Sequence, residues 1–244
     1  IELGLARRPK NPVWGFPVFI KSKPGKKDDF RLLFDLRAIN ERINMTSLPL
    51  PQLESMLNSL ASSKLYAVLD LLKGFNALPV AEDSQGIFVA VTPIGCIELL
   101  VAPQGCSICP GVFHDRVTTE VLGDDYITNS LNWIDDCLIK SSNEPDFLKN
   151  LDRILGKFEA CGFKISVAKA VLYALKVVWA GRHIEDAKIT FEERFYSKIM
   201  EWAAPKYGNE LSQFLYALNW IKMTILQARE SITWLRENVL EVLY

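Results

Sequence analysis

The sequence predicts an α+β fold that ends in a helical bundle, and three observations support this prediction. Short apolar runs bounded by turn residues predict strands, among them 16–20, 66–71 and 87–91. Apolar residues recur at helical spacing over 145–160, which predicts an amphipathic helix. Beyond Arg194 the apolar pattern is helical throughout. The expected architecture is therefore a body of βαββαβ type followed by a small bundle of helices.

The N-terminal part of the chain contains the signals of two strands, a helix and a further strand. The apolar runs 16–20 and 30–36 flank a turn rich in lysine, proline and glycine, which predicts a β-hairpin with a basic tip. Apolar residues at helical spacing over 53–60 predict a helix. The strand 66–71 follows and carries Asp70 near its end.

Strand and helix signals continue to the C-terminus. The apolar runs 130–134 and 137–139 flank an acidic pair, Asp135 and Asp136, which places that pair at a hairpin turn. The further predicted elements are the strands 87–91, 97–101, 172–180 and 188–191 and the helices 110–122, 195–202, 210–225 and 231–243.

Composition excludes several classes of protein. Nearly half of the 244 residues are hydrophobic and the formal net charge is −1, which excludes intrinsic disorder, collagen-like repeats and coiled coil. The longest apolar runs are far shorter than the roughly 20 residues that a membrane-spanning helix needs. No signal-peptide pattern opens the chain, so we expect a soluble, intracellular protein without a membrane partner. The chain opens with Ile1 rather than Met, which suggests a segment of a longer protein.

Cysteine usage favours free thiols. Five cysteines make an odd count, and Cys106 and Cys109 have the CxxC spacing. No second pair follows, and His114 is the only nearby histidine, so a zinc site is disfavoured. We expect reduced, partly buried thiols.

Positive charge is concentrated near the N-terminus. Basic residues clearly outnumber acidic ones between Arg7 and Arg42, although the chain as a whole is nearly neutral. Such a run is typical of a solvated face, and it is also typical of a surface that meets phosphate groups. Charge alone leaves both interpretations open.

Three carboxylates stand at strand ends inside apolar surroundings, namely Asp70, Asp135 and Asp136. Adjacent aspartates at a tight turn repel one another, and a divalent cation is a common neutraliser. Two such cations held by carboxylates of neighbouring strands form the two-metal site of nucleotidyl transfer. Taken alone, an Asp-Asp turn is more often simply a turn.

Several motifs in order give the chain a family resemblance. The segments LDLLKGF (69–75), VAPQG with the following proline and phenylalanine (101–113) and WIDD (133–136) resemble the reverse transcriptases of retroviruses and, more closely, of gypsy-type LTR retrotransposons. The upstream segments PVFIKSKPG, FRLLFDLRAIN and SLPLPQLESMLNSL are similar to the fingers and early palm of that family. WAGRHI (179–184) resembles its primer grip, and the stretch 199–220 resembles the start of its thumb.

The resemblance implies a right-hand polymerase fold. This fold has a palm of antiparallel sheet packed on helices, a β-hairpin fingers region and a helical thumb. Residues 1–64 would form the fingers and early palm, 65–190 the palm with an inserted fingers segment at about 81–102, and 191–244 the thumb.

The resemblance also assigns roles to individual residues. Asp70, Asp135 and Asp136 would be the catalytic residues and the ligands of two Mg²⁺ (or Mn²⁺) ions. Residues that would meet the nucleotide are Arg31 with Lys21 or Lys23 at the triphosphate, Gln104 beside the sugar and Phe75 under the 2′ position. Residues that would meet primer or template are Arg37, which neighbours Asp35, and Trp133, Trp179 and Gly181. Trp133 replaces the usual Tyr of the acidic box, so its contact to the primer terminus must differ.

The activity that the resemblance implies is RNA-directed and DNA-directed DNA synthesis from a primer 3′-hydroxyl with deoxynucleoside triphosphates. The alternative is a domesticated, inactive polymerase fold that binds nucleic acid or protein. Nothing in the sequence resembles a ribonuclease H or integrase domain, so these would belong to other parts of a polyprotein. By resemblance, the protein would reside in a cytoplasmic virus-like particle.

Overall fold

The computed structural model describes residues 1–22, 30–43, 53–191, 193–221 and 228–239. The strands are β1 (Ala6–Arg7), β2 (Phe16–Ser22), β3 (Phe30–Phe34), β4 (Leu65–Asp70), β5 (Val89–Thr92), β6 (Gly95–Leu99), β7 (Ser130–Trp133), β8 (Asp136–Ser141), β9 (Val171–Ala174), β10 (Lys176–Trp179), β11 (Arg182–Glu185) and β12 (Lys188–Phe191). The α-helices are α1 (Arg37–Asn40), α2 (Leu53–Asn58), α3 (Cys109–Arg116), α4 (Glu144–Ala160), α5 (Glu193–Met200), α6 (Gly208–Ile221) and α7 (Ala228–Asn238). Short 3₁₀ turns lie at Gly74–Ala77, Glu82–Ile87 and Gly123–Asp125, and a π-helical turn at Val117–Leu122 continues α3.

The chain divides into two compact units. The first unit comprises Ile1–Pro51, Leu69–Ile139 and Leu148–Ala170. The second unit comprises Gln52–Val68, Lys140–Phe147 and Val171–Tyr244. The predicted boundaries of fingers, palm and thumb rest on the family resemblance and not on compactness. They stay a prediction.

The first unit contains a five-stranded sheet in the order β1-β6-β5-β2-β3. Its pairs are antiparallel except β2 with β5, which run parallel. The predicted N-terminal hairpin is confirmed as β2 and β3, in which Lys21 pairs with Arg31. The strands predicted at 87–91 and 97–101 correspond to β5 and β6, which form a second hairpin. Lys23 and the basic tip at 24–29 lie outside the described residues.

A four-stranded sheet in the order β7-β8-β4-β9 carries the three aspartates. The residues Leu65 to Leu69 of β4 are all buried, as in a strand covered on both faces. Buried side chains of α3 and α4, such as Phe113 and Phe158, belong to the core of the first unit. The strand β4 becomes partly exposed only at Asp70. The Asp70 carboxylate therefore lies at the edge of an apolar core.

The second unit contains the antiparallel sheet β10-β11-β12. Both connections are two-residue loops whose residues have positive φ, namely Ala180-Gly181 and Asp186-Ala187, as type I′ hairpin turns require. The prediction of one strand over 172–180 is wrong, because the chain breaks at Leu175 into β9 and β10. The strand β11 was not predicted, because its short sequence RHIE has little apolar pattern.

The helices of the second unit follow the sequence pattern. The helices predicted at 195–202, 210–225 and 231–243 correspond to α5, α6 and α7. Leu211 and Leu215 of α6 and Ile232 of α7 form a buried apolar cluster. The predicted ends at 222–225 and 240–243 lie outside the described residues. Across the described chain, no helix combines the length and apolar character needed to cross a bilayer.

A buried ion cluster joins two elements of the first unit. Asp125 is 4% exposed and accepts hydrogen bonds from Arg153 and Lys157 of α4, the latter at 2.7 Å from Lys157 Nζ. Asn129 donates to the same carboxylate at 2.8 Å. These donors, with Arg153 the largest contributor, hold the pKa of Asp125 well below its usual range. The buried Asp125 carboxylate is therefore compensated by two cations, Arg153 and Lys157.

We predict that Asp125→Asn lowers the free energy of unfolding by about 1–3 kcal/mol at neutral pH, because the two cations lose their charged acceptor. A depressed folded pKa stabilises the fold above the unfolded pKa of about 3.9, and this contribution is lost as pH falls toward the folded pKa. The difference between the two proteins in chemical denaturation should therefore shrink below about pH 4. Asp124→Asn, at the exposed neighbour, is the control; equal effects of both changes would contradict the prediction.

Candidate active site

The acidic pair lies where the β7–β8 turn meets β8, with Asp135 in the turn and Asp136 as the first residue of β8. Trp133 pairs with Asp136, so Ile134 and Asp135 form the loop. Ile134 has a φ of 54°, a region that β-branched residues rarely adopt. Such a conformation costs on the order of 1–3 kcal/mol and persists only where the surroundings enforce it. The shape of this turn is therefore imposed by its neighbours.

Two hydrogen bonds hold the turn, one from the residue that follows β4 and one from β7 of the hairpin itself. The Leu71 N–H donates to the Asp135 carbonyl at 2.8 Å. The Asn132 side-chain Nδ2 donates to the Ile134 carbonyl at 3.0 Å, and it lies 3.3 Å from His114 Nδ1. Asn132 is fully buried, and burial lowers the pKa of His114, so a neutral imidazole with an accepting Nδ1 fits this contact. Sequence reasoning missed Asn132 and His114, because each looks like an ordinary core polar residue.

Asp70 is brought to the turn by the backbone of β4 and of the segment 164–166. Leu71, directly after Asp70, bonds to Asp135, and the Leu72 N–H donates to the Lys164 carbonyl at 2.7 Å. The Ser166 N–H donates to the Asp70 carbonyl at 2.9 Å. The structure therefore places the ends of β4 and of the β7–β8 hairpin side by side within the first unit.

The three carboxylates share one electrostatic environment. The pKa of Asp136 is raised to about 6, first by burial and then by the negative charges of Asp135 and Asp70. Lys169 Nζ lies 2.7 Å from Asp70 Oδ2, and this hydrogen bond raises the pKa of Lys169. Lys169 was not predicted as a site residue, because a lysine of an exposed turn carries no signal in a single sequence. Its ammonium group is the present counter-ion of Asp70.

The donor set fits a hard divalent cation, since carboxylate oxygens are the ligands that Mg²⁺ prefers. Asp70, Asp135 and Asp136 are the residues that would hold it. In the described part of the chain, no three His, Cys, Asp or Glu side chains converge closely enough to enclose a metal ion. One oxygen of Asp70 accepts a hydrogen bond from the Lys169 ammonium.

Phe75 lies on a short 3₁₀ turn that follows Asp70. Lys73 at the start of this turn has a φ of 52°, and a Cβ at position 74 would lie 2.5 Å from the Phe113 ring. Gly74 is therefore required by the close approach of α3. The half-buried Phe75 ring packs against Phe113 with centroids 5.4 Å apart, and the rest of it remains open to solvent.

Of the other predicted nucleotide contacts, the structure describes the backbone of Lys21, Arg31 and Gln104, all in the first unit. Gln104 is exposed in the loop before α3. Lys21 and Arg31 pair in the β2–β3 hairpin, and Lys21 is exposed. Lys23 falls outside the described residues. The structure fixes the backbone positions of Lys21, Arg31 and Gln104, and their roles stay predictions.

The predicted primer and template residues fall into both units. In the first unit, the exposed Arg37 makes a bidentate ion pair with Asp35, with Nη2 2.6 Å from Oδ2, which lowers the pKa of Asp35 to about 2. Trp133 is half-buried next to the acidic turn. In the second unit, Trp179 is only 1% exposed, whereas Gly181 is exposed in the loop between β10 and β11. Trp179 is therefore a core residue of that unit, and the primer roles of Trp179 and Gly181 stay predictions.

A sheet that presents aspartates at the ends of adjoining strands, preceded along the chain by a β-hairpin and followed by helices, fits a polymerase of the palm type. The family model described as reverse transcriptase (RNA-dependent DNA polymerase) matches residues 20–234. The chain belongs to this family, and the predicted enzyme class of nucleotidyltransferase is confirmed with it.

Relatives and solved structures agree with this family. The chain is 28% identical over 202 residues to the transposon Tf2-3 and Tf2-7 polyproteins of Schizosaccharomyces pombe, which covers 83% of this chain and 15% of each polyprotein. It is therefore similar to a small part of retrotransposon polyproteins, and the predicted retrotransposon origin of the domain is confirmed.

Two solved structures show the fold. The foamy viral protease-reverse transcriptase dRH in complex with double-stranded DNA matches with a TM-score of 0.80 and 23% identity, over 97% of this chain and 41% of that chain. The foamy viral protease-reverse transcriptase in complex with an RNA/DNA hybrid matches with a TM-score of 0.73 and 24% identity, over 89% and 29% of the two chains. The predicted right-hand polymerase fold is confirmed.

We predict that Asn132→Ala lowers the free energy of unfolding by about 1–3 kcal/mol, because the carbonyl of the half-buried Ile134 loses its donor. Hydrogen exchange at the turn amides should accelerate more than exchange in α4, since the turn is strained without its tether. Asn219→Ala, at an exposed position of α6, is the control for loss of an asparagine. Unchanged exchange at 134–136 in Asn132→Ala would show that the turn does not need this hydrogen bond.

Proposed function

We propose that the chain is the polymerase part of a retrotransposon reverse transcriptase, which extends a primer 3′-hydroxyl with deoxynucleotides on an RNA or DNA template. The observation that carries the proposal is the backbone tether between Leu71 and Asp135, which joins the two strand ends that bear Asp70, Asp135 and Asp136. Family membership supports the choice of nucleotidyl transfer for this carboxylate cluster.

The residues of the chain would share the work of the reaction. Asp70, Asp135 and Asp136 would hold two Mg²⁺ or Mn²⁺ ions, which when bound supply Lewis acidity at the hydroxyl and the phosphate. Arg31 with Lys21 or Lys23 would neutralise the triphosphate, since cations stabilise charge on the departing pyrophosphate. The exposed Gln104 would contact the sugar, and the β10–β11 loop with Gly181 would contact the primer.

The partners follow from the same proposal. They are a primer bound to an RNA or DNA template and deoxynucleoside triphosphates. The basic hairpin β2–β3 and Arg37 would approach the template. Since the chain spans 15% of the length of the polyproteins that it matches, ribonuclease H and integrase activities would belong to other parts of such a polyprotein. A virus-like particle would be the cellular setting.

One observation favours a second candidate function. The Lys169 ammonium already neutralises Asp70, as in a carboxylate cluster that needs no cation. A domesticated polymerase fold that binds nucleic acid or protein without catalysis would preserve such a pair. The polymerase would instead exchange this ammonium for a divalent cation at Asp70.

Primer extension on a homopolymer template, with Mg²⁺ or Mn²⁺, decides between the two functions. We predict that Asp70→Asn and Asp135→Asn abolish incorporation and leave the fold intact, because an amide keeps the shape and loses the charge that holds a cation. Mg²⁺ should raise the Tm of the unsubstituted chain and not that of either variant.

Asp152→Asn, at an exposed position of α4, is the matched control and should keep full activity. A chain without incorporation, without stabilisation by Mg²⁺, and with equal or higher stability after Asp70→Asn would support the inactive binding fold instead.

The half-exposed Phe75 ring supports a second prediction, namely selection against ribonucleotides by shape. An aromatic ring against the 2′ carbon leaves no room for a hydroxyl group. We predict that Phe75→Val raises ribonucleotide incorporation relative to deoxynucleotide incorporation by one or more orders of magnitude, measured by single-nucleotide kinetics with both sugars.

Phe88→Val, at another half-buried phenylalanine of the first unit, should leave this ratio unchanged. If Phe75 were only a core residue, Phe75→Ala would cost roughly 3–5 kcal/mol of stability and lower the use of both sugars equally.

A further inference from the structure

Cys106 and Cys109 are a chemically distinctive pair that the polymerase function does not use. Both are buried in the first unit, at 2% and 7% exposure, and Cys109 begins α3. The Cys109 N–H donates to the Cys106 carbonyl at 3.2 Å, which closes a turn of four residues. The Cα atoms at the two ends of such a turn lie within about 7 Å, and disulfides bridge Cα atoms about 4.4–6.8 Å apart. The backbone is therefore already close to disulfide geometry.

An asparagine holds this turn from both sides. Asn40 Nδ2 donates to the Gly105 carbonyl at 3.0 Å, and the Ser107 N–H donates to Asn40 Oδ1 at 2.9 Å. Cys106 lies between these two anchored residues. Its position is therefore set by α1 as well as by α3.

The two thiols are unequal. The Cys109 thiol hydrogen-bonds to Cys106 and lowers the pKa of Cys106 to about 6, while the pKa of Cys109 is raised. The thiolate is the reactive form of cysteine, so Cys106 is the nucleophile of the pair at neutral pH. Burial raises the pKa of Cys137, which keeps that thiol protonated. The pair thus has a nucleophile and a resolving thiol three residues apart.

We infer that Cys106 and Cys109 form a redox-active dithiol, which hydrogen peroxide closes to a reversible disulfide between the loop 103–107 and the start of α3. The Cys106 thiolate attacks one peroxide oxygen, the O–O bond breaks, and the leaving hydroxide takes a proton to become water. Cys109 then attacks the sulfenic sulfur of Cys106, an S–S bond forms, and the S–O bond breaks with release of a second water. Two thiols are oxidised and one peroxide is reduced to two waters.

The 106–109 disulfide should also change nucleotide use, an effect that rests on the proposed function. Gln104 lies two residues before Cys106, and Gly105 between them has a φ of 101°. Drawing the Cys106 sulfur to covalent distance from Cys109 pulls on this loop. The disulfide should therefore raise the KM for nucleotide severalfold and leave primer-template affinity unchanged.

The experiment treats the whole chain with hydrogen peroxide and measures intact mass, followed by peptide mapping without reduction. The expected product has lost two hydrogens and contains a 106–109 disulfide, and dithiothreitol restores the starting mass. Cys109→Ser should instead trap one added oxygen on Cys106, since no resolving thiol remains. Cys161→Ser, at a half-buried cysteine, is the control and should still form the disulfide.

A product without the 106–109 disulfide, or a Cys109→Ser variant oxidised only at other cysteines, overturns the dithiol. A disulfide that leaves the KM for nucleotide unchanged overturns its coupling to the loop. If the reduced chain incorporates no nucleotide, the proposed function fails, and the mass measurement still decides the dithiol.

Discussion

The hydrogen bond from the Leu71 N–H to the Asp135 carbonyl is the contact on which the rest of the candidate site depends. Leu71 follows Asp70 directly, so this bond fixes the end of β4 against the turn between β7 and β8. The aspartates oppose this arrangement, because burial and neighbouring negative charge both disfavour the ionised form of Asp136. Backbone register therefore holds the carboxylates together against their own repulsion.

The segment 164–169 stabilises the Asp70 end of the site in two ways. Its backbone completes the strand end, through the hydrogen bonds of Leu72 to the Lys164 carbonyl and of Ser166 to the Asp70 carbonyl. Its side chain Lys169 supplies a positive charge to Asp70. Because Lys169 is largely exposed on a turn, its ammonium is free to leave toward solvent, whereas the backbone bonds stay in place. The carboxylates can therefore change their counter-ion without a change of fold.

Much of this arrangement was predictable from the sequence, and the exceptions have physical causes. The hairpin β2–β3 was predicted because two apolar runs flank a turn-rich segment, and the helix α4 because its apolar periodicity is strong. The strand β11 was missed because RHIE has almost no apolar pattern, and its pairing is dictated by the turn at Ala180-Gly181. Of the site, the aspartates carry a sequence signal, whereas the contact of Asn132 with His114 is created only by tertiary packing.

The helix α3 connects the parts of the first unit that would face a nucleotide. Its Phe113 ring occupies the space that a side chain at Gly74 would need, and it packs against Phe75. At its other end, α3 begins at Cys109 and follows the loop that carries Gln104. The two loops are also joined directly, because the Ala102 N–H donates to the Leu78 carbonyl at 2.9 Å. A close-packed interior transmits small shifts rather than absorbing them, so a change at the start of α3 reaches both loops.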